Sequence, residues 1–256
     1  MDKKQIVIFA LLCTVLITVI GLSFSTKKHD VDISDEITTT EETITETKLK
    51  ITACNIDVPF ISQLPDFPTG CECISAVMVM NYLGFDLTAD EFVDKYLLKS
   101  NGVEYDVDEG IFVAKNPNKY FIGNPRQDDG WGCYPGALSR ALSLYTDKVS
   151  CVDLTGTTLQ KLCDEYIAND IPVILWATVD MKLDGDVYKI LVDKKANEII
   201  TWYSPSHCLV LVGYNENEYI FNDPLSEKNK AYSKKAVEKA FNLTGKKAMI
   251  IKKDGN

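Results

Sequence analysis

The sequence predicts an α+β fold, in which helices from the first half of a folded domain pack on a mainly antiparallel sheet formed by the second half. Two observations support this prediction. Apolar residues recur at helical spacing in several segments between residues 71 and 168, and short apolar runs of strand length replace them from residue 171 onwards. The composition, 46% hydrophobic and 25% charged, is ordinary for a globular domain with a sizeable core.

The first helix is predicted over residues 71–83, where Cys71, Ile74 and Val77 recur at helical spacing and Gly84 provides a C-terminal stop. Thr88 forms a capping-box pattern with Glu91 at the start of a second helix. The same pattern occurs in Thr157 and Gln160, and further helices are predicted over residues 134–145, 157–168 and 233–241.

Strands are predicted in the second half from short runs rich in β-branched and aromatic residues. The first of these runs is apolar throughout, which is typical of a strand buried on both faces. The expected bounds are residues 171–177, 187–192, 198–202, 208–214, 218–221 and 248–251.

A transmembrane signal-anchor is predicted over residues 1–28. Residues 5–26 carry no charge, are apolar almost throughout and lie between two pairs of lysines. About 20 apolar residues span a bilayer, whereas the apolar core of a secretory signal is about 7–15 residues long. We therefore expect a single-pass protein of the cell membrane with its folded domain outside. Secretion after signal cleavage behind Ser23 or Ser25 is the alternative.

A disordered stalk is predicted over residues 29–50. Acidic residues alternate with threonines there, and the segment contains no aromatic residue and no period that would pack a core. The folded domain is therefore expected over residues 51–256.

Composition also excludes several functions. The net charge of −10 makes nucleic acid an unexpected partner, because phosphate binding needs clustered Lys and Arg. The domain contains one histidine, His207, since His29 lies in the predicted stalk. No H-E-x-x-H, P-loop, G-x-G-x-x-G or G-x-S-x-G motif occurs. We therefore expect neither a metal nor a cofactor, and a Cys/His pair remains as the candidate chemistry.

Cys71 is the candidate nucleophile. The attacking species is the thiolate, and a helix N-terminus together with a protonated imidazole is expected to lower the pKa of this thiol. Gly70 allows a tight turn before the helix and leaves the sulfur accessible. Taken alone, the local sequence around Cys71 favours a buried structural thiol.

His207 is the candidate base and Asp223 its candidate orienter. The tripeptide at residues 215–217 is typical of a hairpin turn, and a turn centred on Asn215 would place His207 opposite Asp223 on one face of the sheet. Asn222 would then point the other way. A carboxylate that fixes the imidazole tautomer is what a Cys/His pair requires. A surface histidine beside an ordinary turn aspartate is the alternative.

Gln63 lies eight residues before Cys71 in a proline-containing loop. Its side-chain amide is a candidate donor to a developing oxyanion, alongside the backbone N–H of Cys71. An ordinary loop glutamine is the alternative.

Seven segments carry a family resemblance. They are VPFISQ at residues 58–63, PTGCE at 68–72, NYLG at 81–84, FIGNPR at 121–126, WGCY at 131–134, WYSPSHCLVLVGY at 202–214 and NDP at 222–224. In this order they resemble the bacteriocin-processing (double-glycine) peptidase-like family of papain-type cysteine peptidases. His207 lies 136 residues after Cys71, within the roughly 130–150 residues typical of papain-like enzymes. The resemblance implies a papain-like fold, with Gln63, Cys71, His207 and Asp223 in the family's four catalytic roles.

The resemblance also implies hydrolysis of peptide bonds in a peptide or protein substrate. Family members that mature bacteriocins are fused to an export transporter with a P-loop domain. No P-loop occurs in this sequence, so we do not expect double-glycine leader cleavage. Two alternatives stay open: an amidase or endopeptidase acting on cell-wall (peptidoglycan) peptide, and a catalytically inactive papain-like surface-binding module.

Six further cysteines of the domain are open to two interpretations. They either form disulfides outside the cell or remain reduced, and their spacing does not reveal any connectivity. They are Cys54, Cys73, Cys133, Cys151, Cys163 and Cys208.

Overall fold

The structure, a computed structural model, describes residues 53–255. The predicted signal-anchor (residues 1–28) and the predicted stalk (residues 29–50) lie outside the described residues. Within residues 53–255, no helix is both long enough and apolar enough to cross a membrane.

The described residues adopt the predicted α+β fold. Most of the helices precede the long strands, and a final helix lies between the last two strands. The helices are α1 Cys71–Tyr82, α2 Ala89–Glu91 with a π-helical continuation Phe92–Tyr96, α3 Pro135–Tyr145, α4 Leu159–Glu165 with a 3-10 turn Ile167–Asn169, and α5 Lys234–Leu243.

The strands include all six that the sequence predicts, each displaced by only a few residues at its ends. Shorter strands occur in addition, mainly in the first half. The strands are β1 Cys54–Asn55, β2 Lys99–Ser100, β3 Glu104–Asp106, β4 Ile111–Val113, β5 Phe121–Ile122, β6 Val149–Asp153, β7 Val173–Thr178, β8 Asp186–Asp193, β9 Glu198–Ser204, β10 Ser206–Tyr214, β11 Glu218–Asn222, β12 Lys230–Ser233 and β13 Ala248–Lys253.

The main sheet is antiparallel and has the strand order β12-β11-β10-β7-β13-β6, with β1 pairing with the end of β10. Strands β7 and β10 lie at its centre, and His207 pairs with Ala177 between them. Every residue of β7 is buried, as the apolar run predicts.

Helix α1 packs on β10 and is the most buried helix of the fold. All of residues 71–80 are buried, so this helix is covered on every side rather than along one stripe. The reason is that apolar residues occupy almost every position of the helix. The Ser75 hydroxyl donates a hydrogen bond to the carbonyl oxygen of Cys208 at 3.3 Å. This contact holds the first turn of α1 against the beginning of β10.

Strands β8 and β9 do not join the main sheet. Together with β3 and β4 they form a separate four-stranded sheet, whose apolar face covers a small second core. Buried Ile190 and Trp202 belong to this face, whereas Val187 and Ile199 are exposed. Trp202 also borders the cleft described below.

Two helix starts test the predicted capping boxes. The hydroxyl of Thr88 accepts a hydrogen bond from the backbone N–H of Glu91 at 3.1 Å, as predicted. The second predicted box is wrong by one residue, because Thr158 rather than Thr157 caps α4 by accepting from the N–H of Lys161. Adjacent threonines give the same sequence pattern in both registers, and only packing of the helix separates them.

Candidate active site

Cys71 is the first residue of α1 and lines a cleft of about 380 Å³. Gly70 is the N-cap of the helix. A Cβ added at Gly70 would lie 2.9 Å from the Cβ of Phe67 and 3.2 Å from that of Pro125. The loop before the helix therefore approaches so closely that only glycine fits without a shift.

The thiol of Cys71 has two polar contacts. It donates a hydrogen bond to Oε2 of Glu72 at 3.3 Å, and its Sγ accepts one from the backbone N–H of Cys208 at 3.4 Å. Burial raises the pKa of Cys71 well above its usual value, and the charge of Glu72 raises it further. The sequence-based expectation of a lowered pKa is wrong for this resting arrangement, since it took no account of a dry site with a neighbouring carboxylate.

His207 and Asp223 form a buried pair. His207 lies near the start of β10, Asp223 directly follows β11, and Nε2 of His207 is 2.7 Å from Oδ1 of Asp223. The contact places a proton on Nε2. Nδ1 of His207 is buried and has no hydrogen-bond partner among the described residues. Asp223 therefore selects the tautomer whose Nδ1 is free to accept a proton.

Two further donors fix the Asp223 carboxylate. The hydroxyl of Tyr232 donates to Oδ2 at 2.6 Å, and the backbone N–H of Leu225 donates to Oδ1 at 3.0 Å. Burial acts to raise the pKa of Asp223, but the contacts with His207, Tyr232 and Leu225 outweigh it and hold this pKa below its usual value. Tyr232 is not predictable from the sequence, because strand β12, which carries it, has only four residues and shows no clear alternation.

The hairpin between β10 and β11 differs in register from the prediction. Val210 pairs with Asn222 and Tyr214 with Tyr219, and one irregularity interrupts the ladder. The turn is thus displaced towards residue 217, and the predicted pairing of His207 with Asp223 is wrong by two residues. A shift of two residues preserves the face on which side chains lie, so the two side chains still meet. Asn222 faces away, as predicted, and its amide donates to the carbonyl of Val58 at 2.9 Å.

Gln63 lines the same cleft as Cys71 and His207. Its Nε2 donates to the carbonyl of Phe67 at 3.2 Å and to that of Pro68 at 2.7 Å. Its Oε1 is buried and has no partner among the described residues. The structure therefore brings Gln63 to the cleft, with both amide N–H groups engaged by its own loop.

Glu72 is a buried acid that the sequence analysis did not single out. Its Oε1 accepts a hydrogen bond from the backbone N–H of Cys133 at 3.0 Å. Burial raises the pKa of Glu72 from 4.5 to about 7. The sequence does contain one indication that Glu72 is unusual. It is the charged residue in a run of ten positions that is otherwise made of apolar and small residues.

Two tryptophans and two aspartates form the walls of the cleft beside Cys71. Trp131 and Trp202 contact each other edge to face, with ring centroids 6.0 Å apart. Asp128 and Asp129 border the cleft next to Trp131, and the residues described as lining it include no Lys or Arg. The cleft is therefore aromatic and electronegative.

Comparison with known proteins identifies the family. Residues 55–249 match the Peptidase_C39 like family. The chain belongs to this family. The match covers all seven segments from which the sequence analysis inferred a resemblance, and that inference is confirmed.

Two relatives of this Peptidase_C39-like chain show how far the likeness extends. The uncharacterised protein YvpB of Bacillus subtilis strain 168 is 28% identical over 213 residues, which cover 80% of this chain and 79% of YvpB. A crystal structure of a C39-like peptidase from Bacillus anthracis is 25% identical and superposes with a TM-score of 0.67, covering 80% of this chain and 99% of that one. The likeness confirms the predicted α+β, papain-like fold.

Within residues 53–255, none of the cysteines of the Peptidase_C39-like domain forms a disulfide. Of the two interpretations left open by the sequence, the structure shows free cysteines. Cys73, Cys133 and Cys208 are buried near Cys71, and burial raises the pKa of each well above its usual value. Among the described residues, no group of three His, Cys, Asp or Glu side chains is arranged to hold a metal ion.

Proposed function

We propose that this domain is a cysteine peptidase that hydrolyses peptide bonds with Cys71 as nucleophile, His207 as base and Asp223 as the residue that orients the base. One observation carries the proposal. Asp223 holds Nε2 of His207 and leaves Nδ1 without a partner, and His207 shares one cleft with Cys71. A histidine held in this way is prepared to exchange a proton with a neighbouring thiol.

In the acylation step, Nδ1 of His207 takes the proton from Sγ of Cys71. Sγ then attacks the carbonyl carbon of the scissile peptide bond and forms a tetrahedral oxyanion. When this intermediate collapses, the C–N bond breaks and the imidazolium returns its proton to the leaving amine. The products are a free amine and a thioester on Cys71.

In the deacylation step, water replaces the leaving amine. Nδ1 of His207 takes a proton from this water as the water oxygen attacks the thioester carbon. The C–S bond then breaks, the carboxylic acid leaves, and the proton returns to Sγ. Asp223 keeps its charge throughout and stabilises the imidazolium that forms in both steps.

The backbone N–H of Cys71 and the amide of Gln63 are proposed donors to the oxyanion. Both N–H groups of Gln63 are engaged in the resting site. Donation to the substrate therefore requires Gln63 to break one of these two hydrogen bonds. The longer one, to Phe67, is the weaker.

We place the substrate outside the cell. Residues 1–28 would hold the domain at the membrane and residues 29–50 would extend it from the surface. The substrate would then be a peptide, a protein or a cell-wall peptide. The electronegative cleft and the net charge of −10 favour these substrates over nucleic acid.

The test is hydrolysis by the full-length protein of two substrates, a peptide library and purified peptidoglycan. Cys71→Ser should remove turnover, whereas Cys151→Ser, which changes a cysteine on the edge strand β6, should retain it. Cleavage of peptidoglycan alone would assign the activity to the cell wall. Cleavage of neither substrate by folded protein would contradict a peptidase and favour the binding module.

A further inference from the structure

The carboxyl group of Glu72 lies directly beside the nucleophilic sulfur and is held on both sides. Its Oε2 accepts a hydrogen bond from the Cys71 thiol at 3.3 Å, and its Oε1 accepts one from the backbone N–H of Cys133 at 3.0 Å. A Cβ added to Gly132 would lie 2.2 Å from Oε1, so the chain packs closely against the carboxyl group. Glu72 is only 2% exposed. A buried carboxyl in this place has direct access to the proton of the nucleophile.

The groups around Glu72 provide little compensation for a negative charge. No lysine or arginine within residues 53–255 forms an ion pair with it. Burial is the main reason that the pKa of Glu72 rises to about 7, and His207 acts in the opposite direction. The titratable groups that interact with it are Cys71 and Cys73 of α1, Cys133 and Tyr134 before α3, and His207 of β10 with its neighbour Cys208.

The two protonation states of Glu72 have opposite effects on Cys71. An ionised carboxylate accepts the S–H hydrogen bond and would place a second negative charge beside any thiolate. A protonated carboxyl can instead donate its O–H to the thiolate. Because Glu72 is only 2% exposed, solvent screens these effects little.

We propose that Glu72 controls the ionisation of Cys71: the protonated carboxyl permits the thiolate, and the ionised carboxylate keeps the sulfur as a neutral thiol. The roles of the triad residues rest on the proposed peptidase function. Control of Cys71 by Glu72 is instead a property of the resting site. The control lets the thiolate fraction of Cys71 rise with pH up to neutrality and limits its further rise above neutrality. Under the proposed function, turnover would follow the same dependence.

The test is the rate of Cys71 alkylation by iodoacetamide in the full-length protein, resolved by mass spectrometry of the Cys71 peptide between about pH 5.5 and about pH 8.5. In the wild type, the rate should rise with pH up to neutrality and level off above it. The thiolate beside a protonated Glu72 and the thiol beside an ionised Glu72 carry the same number of protons, so a further rise in pH does not change their ratio. Glu72→Gln keeps the size and the acceptor for Cys133 but cannot ionise. At pH 8 it should react about tenfold faster than wild type, because about nine-tenths of Glu72 is ionised one pH unit above a pKa of about 7. At pH 5.5 the two rates should agree within about twofold.

Glu165→Gln is the matched control, because Glu165 is an exposed glutamate that pairs with Lys161 on α4. Its profile should coincide with wild type. Parallel profiles for wild type and Glu72→Gln would overturn the proposal. If Glu72→Gln does not fold, the wild-type profile decides alone, since a rate that rises without interruption through neutrality contradicts the control. Alkylation requires no substrate, so this failure is distinct from a failure to find peptidase activity.

Discussion

At the residue scale, the Asp223 carboxylate is the most firmly anchored group of the proposed triad. Three donors reach it, from His207, Tyr232 and the backbone of Leu225. They keep the pKa of Asp223 below its usual value despite burial. An ionised carboxylate in this place stabilises the imidazolium and fixes its ring, which are the two tasks of an orienting acid.

Substitution of Asp223 should slow catalysis without abolishing folding. We expect Asp223→Ala to lower kcat/KM by a factor on the order of 10²–10⁴, by analogy with other triad orienters. Asp223→Asn should retain more activity than Ala, because an amide oxygen can still accept the Nε2–H of His207. The measurement is kcat/KM on a cleaved peptide, with melting curves for each variant.

Asn222→Ala is the control for this series, because the Asn222 side chain contacts Val58 and the backbone of Asn229 rather than His207. This substitution should lower the free energy of unfolding more than it lowers kcat/KM. Equal loss of kcat/KM in folded Asn222→Ala and Asp223→Ala would require a different orienter.

Glu72 should give the stability of the protein a pH dependence of its own. Its pKa is about 7 in the folded chain and 4.5 in the reference state, so the folded state binds the proton more tightly. The resulting stabilisation, on the order of 3 kcal/mol, is fully present below pH 4.5 and is lost as the pH rises through about 7. Denaturant unfolding should therefore show wild type losing stability relative to Glu72→Gln across this interval. A constant difference between the two proteins would show that the carboxyl does not titrate in that range.

At the element scale, α1 and its preceding loop position the nucleophile. The sequence predicts this helix well, because its apolar residues and Gly84 mark both its extent and its end. It does not reveal that the helix is covered on all sides, since periodicity reports one face only. For the same reason, the sequence does not predict that Glu72 is buried. A charged residue in a helix is expected on a solvated face, and tertiary packing alone places this one in the core.

Gly70→Ala tests the close approach of the loop to α1. The added methyl group would lie 2.9 Å from the Cβ of Phe67, so the loop must shift. We expect a loss of about 1–3 kcal/mol in unfolding free energy, typical of overpacking, and a larger KM as the cleft distorts. Gly102→Ala is the control, because nothing lies within 4 Å of a Cβ at that position. Equal stability of the two variants in thermal denaturation would disprove the steric constraint.

The hairpin of β10 and β11 shows what sequence can and cannot determine about the site. The alternation of side chains predicts correctly that His207 and Asp223 share a face and that Asn222 does not. The turn position and the ladder irregularity were not predictable. They depend on the side-chain oxygen of Asn215, which accepts from the N–H groups of Asn217 and Glu218, and the residue pattern does not specify this contact. A slip of one residue would have separated the pair.

At the scale of the whole molecule, the α+β layers follow from the order of helical and strand patterns along the chain. The division of the strands into two sheets does not. Strands β3 and β4 contain only three residues each, too few for an alternation to be recognised. The second sheet also depends on long-range contacts of Trp202 with Tyr134 and Trp131, which no local pattern encodes.

The location of the domain is a prediction of the whole chain. If residues 1–28 anchor the protein and residues 29–50 form an extended stalk, protease added to intact cells stripped of their wall should release the folded domain. Immunoblotting of the medium and the cells measures this release. Release without added protease would instead indicate signal cleavage, and protection from protease would place the domain inside the cell.

The central claim is that Cys71 forms a covalent acyl intermediate during peptide hydrolysis. Acid quenching during turnover, followed by mass spectrometry of the digested full-length protein, measures this directly. We predict a mass increase equal to the acyl part of the substrate on the Cys71 peptide alone, and its absence in His207→Ala. Acylation of another cysteine, or turnover by folded Cys71→Ser at the wild-type rate, would contradict the account.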